Sequence, residues 1–430
     1  MNTIKKYLSN ILLGCSRHGK CGILLTFFLM ITFFSNVVPV KGEELNLEQA
    51  LELFYENNYD ILINKYETDK AYAEYVGAKL IPNPTLSLNA IGLDYYDGYP
   101  KRADETQVIA RVDQLIELGG KRKLRTESAL AGHEVAALSH RDVIRNLLIG
   151  FYTVYYNLHL DGLNIEFARG ELGRFDHILD IAERRFNAGF LSLLDYTKIK
   201  LAKIDLENNL TNFETQFKKD LENFNFLIGG DRNYRPSRLV VREVFPEFSE
   251  ENLVEAGLKN RYDLLALQKQ AEVARHNLAL AKALRIPDLS VGVEHDSFGK
   301  DSVSRIGGGV SIGLPIFNRA QGEILKRSTE SKQVEQQIKK VRRLVISDVR
   351  QALLTYQSSL KVFDAYKTRK TAMEDLLNKS ESAFSLGGIT VLDLLDTRRT
   401  YRDFITKYNQ TLVQALLNQE LIKVYTGEFR

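Results

Sequence analysis

The chain has 430 residues, with 58 basic and 55 acidic side chains, 20 Tyr, 22 Phe and no Trp. A charge balance this even, with no basic block, excludes a nucleic-acid binder. The only cysteines, Cys15 and Cys21, lie near the N-terminus, so the rest of the chain has neither a disulfide nor a Cys-based metal site and is held by packing.

Residues 1–42 carry Lys5, Lys6, Arg17, Lys20 and Lys41 and no acid, and the apolar run GILLTFFLMITFFSNVV fills 22–38. Val40-Lys41-Gly42 forms a small-residue exit before Glu43. This is the pattern of a secretory signal peptide, cleaved near Gly42. A membrane anchor is the competing reading, but the run sits at the bottom of the spanning range. Leu12-Leu13-Gly14-Cys15 resembles a lipidation box, yet it precedes the apolar run instead of following it. Loss of five basic residues leaves 53 basic and 55 acidic side chains, and Met373 as the only methionine. No other stretch is apolar and long enough for a transmembrane helix. An exported chain of this kind belongs to the periplasm, the medium, or an outer membrane crossed by strands.

After the signal the chain reads twice. Residues 46–91 align with 249–294, pairing Asn57 with Asn260, Asp60 with Asp263, Ala71 with Ala274 and Pro84 with Pro287. Residues 182–230 align with 380–428, pairing Glu183 with Glu381, Phe186 with Phe384, Gly189 with Gly387, Asp195 with Asp393 and Gly229 with Gly427. A repeat sets the architecture: a first half over 43–230, a linker over 231–248, and a second half over 249–430. Asn46 and Ser249 are both suited to cap the opening helix of each half.

Within each half the period changes. Val108, Ala110 and Val112 alternate with Gln107, Arg111 and Asp113, and Ile306, Val310, Ile312 and Leu314 alternate with Arg305, Gly307, Gly309 and Ser311. This predicts β-hairpins at about 85–115 and 288–315, with strands of about ten residues, the length of a transmembrane strand. Leu86, Leu88 and Ala90 share a face before Ile91 shifts phase, and Gly307-Gly308-Gly309 inside a strand suits a bend or close packing. The polar, aromatic segments DYYDGYPKRADE and HDSFGKDS read as outward loops. The proline-free stretches 101–235 and 316–430 are helical territory. In 341–366, Val341, Leu344, Val345, Val349, Ala352, Leu353, Tyr356, Leu360 and Phe363 form a coiled-coil-like stripe. A helix over about 319–386 would be roughly 100 Å long, so its partner over 390–426 needs another helix to complete the layer. The glycines at 189 and 387 close one helix and start the next, giving helical tips at about 187–194 and 385–392. The linker holds Pro236, Pro246 and Leu239-Val240-Val241, and reads as an irregular belt with a short strand.

Four strands cannot close a barrel, and lipid tolerates no open edge, so a membrane reading demands several copies: two give eight strands and three give twelve. A soluble periplasmic coiled-coil scaffold without a pore is the alternative; a detergent-extracted outer-membrane oligomer would separate the two.

IELGGKRKLR (116–125), GLPIFNRAQGE (313–323) and LGGITVLDLLDTRRTY (386–401), together with the two-fold repeat, are similar to the TolC-type outer-membrane efflux protein family, over the whole chain after the signal. The first two segments most resemble its heavy-metal (cobalt–zinc–cadmium, CzcC-like) subgroup. The resemblance implies a mainly α fold with a transmembrane β part. It implies a homotrimer with a shared 12-stranded barrel in outer-membrane lipid and a hollow α-barrel reaching into the periplasm. It also implies a periplasmic adaptor and a proton-driven inner-membrane pump as partners, and heavy-metal cations as cargo, with drugs or secreted protein as alternatives. The family's aperture aspartates fall on Asp393 and Asp396, with Asp195 at the matching place in the first half and Lys198 in that of Asp396. The arginine that often pairs with them is replaced by Ile389, leaving Arg184, Arg185, Arg398 or Arg399 as stand-ins. Adaptor docking falls on Gly189-Phe190-Leu191-Ser192 and Gly387-Gly388-Ile389-Thr390, whose residue types also satisfy plain turn chemistry.

The sequence has no phosphate-binding glycine loop, no His-Glu-x-x-His and no serine elbow, so no enzyme and no cofactor is expected. His133 and His140, seven apart and on one helix face, read as solvated or interface histidines more readily than as a metal site.

Overall fold

The computed structural model describes residues 43–96, 99–229, 233–238, 244–298 and 304–429; the signal-like segment and Leu239-Val240-Val241 lie outside them. The elements run β1 (Glu43–Leu45), α1 (Leu47–Asn57), α2 (Tyr59–Ala78), β2 (Thr85–Tyr96), β3 (Tyr99–Ile116), α3 (Lys121–Asn187), α4 (Leu193–Leu227), β4 (Tyr234–Pro236), α5 (Glu250–Asn260), α6 (Tyr262–Ala283), β5 (Leu289–Phe298), β6 (Ser304–Ile312), α7 (Gln321–Ser385) and α8 (Val391–Thr426). The protein is mainly helical, and none of its described helices is long and apolar enough to cross a membrane.

α3 and α7 are the spines, of 67 and 65 residues, each about 100 Å long at the α-helical rise. α8 packs along part of α7, and α5 and α6 pack along the rest. α2, α4, α6 and α8 all pack on α3. The α7 stripe is narrower than the sequence pattern: Val345, Val349, Leu353, Tyr356 and Phe363 are buried, while Leu344 is exposed. Leu344 sits one position off the three- and four-residue rhythm, which turns it to the other side of the helix.

The chain-opening caps also differ. Asn46 forms a full capping box with Gln49 at the start of α1. Ser249 does not cap α5; its hydroxyl donates to Glu251 Oε2 at 2.8 Å. Asn58 caps α2 through Asp60 N and Ile61 N and donates to Leu227 O at 2.8 Å, tying α2 to the end of α4.

Two apolar cores matter for position. At mid-length, Phe54, Phe151, Tyr155 and Phe224 pack ring on ring beside the short parallel β1–β4 ribbon. At the far end, Phe175, Ile178, Ala182, Ile199, Phe384, Val391 and Leu394 make one core from both helical hairpins.

The other end is a four-stranded antiparallel sheet in the order β2-β3-β5-β6. Its strands outrun the sequence estimate. β3 has 18 residues, Asp94–Tyr96 pair with Tyr99–Lys101, and His295–Phe298 belong to β5. The polar segments read as loops are therefore largely strand, because cross-strand pairing is indifferent to the polarity of side chains outside the core; residues 97–98 and 299–303 lie outside the description. The phase shift after Ile91 is a register irregularity between Ile91 and Leu93, where Gly92 takes φ 79°.

Candidate functional site

The sheet has two unlike faces. Leu88, Val112, Val293, Ile306 and Val310 lie bare on one, Leu88 and Val310 each about two-thirds exposed and Ile306 81% exposed. The other carries an ion-pair lattice. Arg111 reaches Asp113 at 2.8 Å and Glu294 on the next strand at 2.9 Å, and Gln107 donates to Asp296 at 2.8 Å. Glycines make the lattice possible. A Cβ at Gly292 would stand 2.3 Å from Asp113 Oδ1, and one at Gly309 would stand 3.3 Å from Arg111 Nη2. The glycine run in β6 thus serves close packing and not a bend. Both outer strands, β2 and β6, end the sheet with an unpaired edge.

The opposite end holds the predicted site residues. In the first tip Gly189 turns α3 with φ 76°, Phe190 is exposed, and Leu191 tucks into the shared core. Ser192 caps α4: its Oγ accepts from Asp195 N at 3.0 Å and donates to Asp195 Oδ2 at 2.9 Å. Lys198 reaches Asp195 Oδ1 at 3.1 Å. Ser192 foremost, with Lys198 behind it, holds the Asp195 carboxyl below the ordinary range.

The second tip repeats the turn with Gly387 at φ 80°, while Gly388 donates to Ala383 O at 2.7 Å. Thr390 and Asp393 form a capping box: Thr390 Oγ1 donates to Asp393 Oδ2 at 2.6 Å and accepts from Asp393 N at 3.2 Å. These Thr390 contacts hold the Asp393 carboxyl low. Asp396, one turn on, is exposed and has no side-chain partner among the described residues. Ile389, in the place of the usual arginine, packs into the shared core with Leu191.

Among the described residues, none of the four arginines offered as stand-ins pairs with these aspartates. Arg184 binds Asp180 at 2.5 Å. Arg185 donates to Phe384 O at 2.6 Å and lies over the Phe384 ring, so the first hairpin clamps the end of α7. Arg399 is exposed. Arg398 is buried: it reaches Glu171 on α3 at 3.3 Å, pairs with Glu381 on α7, and stacks over Phe175. Glu171 in turn holds Arg174 at 2.5 Å.

That buried lattice was the part missed by pattern reading. The signal existed. Val391, Leu394, Arg398, Tyr401 and Ile405 form one buried heptad stripe, and Ala168, Glu171, Phe175, Ile178 and Ala182 form another. A charge inside such a stripe must find an opposite charge. His133 and His140 both face α2 and do not meet: His133 lies edge-on to Tyr72, and His140 Nδ1 sits 3.1 Å from Asn64 Oδ1.

The profile of one protein family, described as outer membrane efflux protein, matches residues 50–230 and again 253–426. The chain belongs to that family. Among characterised members, the efflux channel is 24% identical to the cobalt-zinc-cadmium resistance protein CzcC of Cupriavidus metallidurans, over 89% of this chain and 90% of that one. It is 22% identical to the outer membrane protein TolC of Vibrio cholerae, over 83% and 85% of the two chains. Its fold matches the solved channel CusC with a TM-score of 0.76 at 15% identity, covering 90% of this chain and 93% of that one. The open state of the Neisseria gonorrhoeae MtrE outer membrane channel matches at 0.72 and 15% identity, covering 89% of each. It is thus an outer membrane efflux channel, from a family of channels and not of enzymes.

Proposed function

We propose that this efflux channel is the exit duct of a tripartite system, a homotrimer that carries heavy-metal cations across the outer membrane. The observation that carries the reading is the sheet with one bare apolar face, one ion-paired face and two free edges. Lipid accepts the first face and forbids the edges. Three copies of four strands close them into a barrel of twelve, with the apolar face outward and the Arg111 lattice lining the lumen. The long helices continue the wall into the periplasm, after residues 1–42 have served as export signal. The two halves, 43–230 and 249–430 around the 231–248 linker, are the repeated units; the two separate matches to one family profile support this.

The helical tips form the periplasmic entrance. Asp393 and Asp396 project from α8 and Asp195 from α4, and three copies make rings that favour cations. The turns 189–192 and 387–390, with exposed Phe190 in the first and exposed Leu193, Leu386 and Leu392 flanking them, offer an apolar seat to a periplasmic adaptor, which couples the duct to a proton-driven inner-membrane pump.

The metal cargo rests on the likeness to the cobalt-zinc-cadmium resistance protein. A deletion strain and its complement, challenged with zinc, cobalt, cadmium, copper and silver beside dyes, detergents and antibiotics, tests it. Sensitivity to metals alone is expected; sensitivity to dyes and antibiotics alone would keep the duct and discard the metal.

A further inference from the structure

The ion-paired face of the sheet holds two carboxylates that one side chain covers. Asp113 on β3 and Glu294 on β5 lie on the same face of neighbouring strands. Arg111 stands opposite Glu294 in register and two residues before Asp113. Its Nε and Nη2 donate to the two oxygens of Asp113, at 2.8 and 2.9 Å, and its Nη1 donates to Glu294 Oε2 at 2.9 Å. One guanidinium thus spans both acids, using the fork that fits it to carboxylates.

The seat beneath it is made of glycine. A Cβ at Gly292 would stand 2.8 Å from Arg111 Nη2 and 3.0 Å from its Nε, and one at Gly309 would stand 3.3 Å from Nη2. A Cβ at Gly307 would stand 3.0 Å from Glu294 Oε1. With those side chains absent, the guanidinium rests on the backbone of β5 and β6. Water still reaches the cluster, since Arg111 and Asp113 are each 27% exposed and Glu294 35%. Asp296, two residues on from Glu294, is matched separately: it lies opposite Arg305 in register and accepts from the Gln107 amide at 2.8 Å.

Without the guanidinium, two carboxylates would converge on one wet point. Carboxylate oxygens are ligands for hard divalent cations and also for zinc. Conduction needs binding weak enough to let the ion leave, so such a pair would hold back a cation moving along the wall. We propose that Arg111 is a resident cation of the barrel wall: it fills the place between Asp113 and Glu294 that a divalent cation would otherwise take, and the wall passes metal cargo without keeping it. The helical tip is the opposite case, because Asp396 has no such cover among the described residues. This inference rests on the reading of the ion-paired face as the lumen of a cation duct, and adds the residue that keeps the lumen from binding its cargo.

Zinc block of single channels in a planar bilayer tests it. Every channel compared carries Asp393→Asn and Asp396→Asn, so that zinc at the entrance is not mistaken for zinc in the barrel. With arginine at 111, zinc chloride should leave the current unchanged. Arg111→Gln should lose current to zinc at roughly millimolar concentration, the strength of a weak carboxylate site, and adding Glu294→Gln should restore it. Arg111→Lys, which keeps a charge over the pair, should stay close to the parent. Equilibrium dialysis of the detergent-purified proteins against zinc chloride should show more bound zinc in Arg111→Gln than in the parent. Arg111→Met replaces Arg111→Gln if the glutamine variant does not assemble. Equal zinc dependence of parent and variant overturns the inference and leaves the duct standing. A parent that zinc already blocks overturns it without any change at 111. A parent that carries no current overturns the lumen reading as well.

Discussion

The two helical tips share a plan and differ in what they do with charge. At the first, Ser192 caps α4 and Lys198 covers Asp195. At the second, Thr390 and Asp393 cap one another, and the place of Lys198 is taken by Asp396, which nothing within the described chain covers. Their anchorage differs as well. Phe186 stacked on Tyr196 at 4.9 Å staples the first tip to itself. The second is tied from inside, where Arg398 joins α8 to Glu171 and Glu381. So α8 shows two carboxylates on its outer side, Asp393 and Asp396, and buries a cation two residues after the second. A motion that shifts Asp393 and Asp396 must also strain the lattice of Arg398.

The largest effect expected is on that lattice. Arg398→Ala takes its counter-charge from Glu381, leaves buried Glu171 with Arg174 alone, and should cost about 3–5 kcal/mol in urea unfolding. Lys198→Ala, which removes an exposed partner at the other tip, should cost less than about 1 kcal/mol. Equal costs would erase the contrast in anchorage.

The first hairpin carries a buried acid of its own. Burial, with Asp220 on α4 close by, pushes the Asp161 carboxyl up to about 7. A raised folded pKa favours the protonated form in the folded state. The contribution is therefore complete below the unfolded value of about 4 and is lost as pH rises through 7. Melting temperature should fall over that window, and Asp161→Asn should flatten the fall. A variant with the same slope as wild type would remove Asp161 as the cause.

Smaller effects belong to the caps. Ser192→Ala and Thr390→Ala should each cost about 1 kcal/mol, seen as faster amide exchange in the first turns of α4 and α8. The caps of Asp195 and Asp393 carry the opposite pH sign to Asp161. Their depressed carboxyls stabilise above the ordinary carboxylate range, and that contribution is lost as pH falls through it. Fraying confined to one tip would show that the shared plan is only apparent.

Much of this was legible in the residues. Glycines 189 and 387 marked the turns because a helix end needs a left-handed residue there. Alternation over 304–314 exposed the strand and its apolar face. What stayed hidden needed contacts across sequence. Arg398 and Glu171 are 227 residues apart, and a heptad stripe records that each is buried, not which partner it meets. The length of β3 was underestimated because an alternating pattern ends before the pairing does: Asp94 to Tyr96 pair through their backbones whatever their side chains.

The most direct test of the entrance is the reversal potential of single channels in a planar bilayer under a salt gradient, for wild type and for Asp393→Asn with Asp396→Asn. Asparagine preserves size and the cap at 393 while removing both charges. The account predicts a cation-preferring wild type and a clear shift toward zero in the variant. An unchanged potential, in channels that still conduct, would contradict it and take the second tip away from the pore.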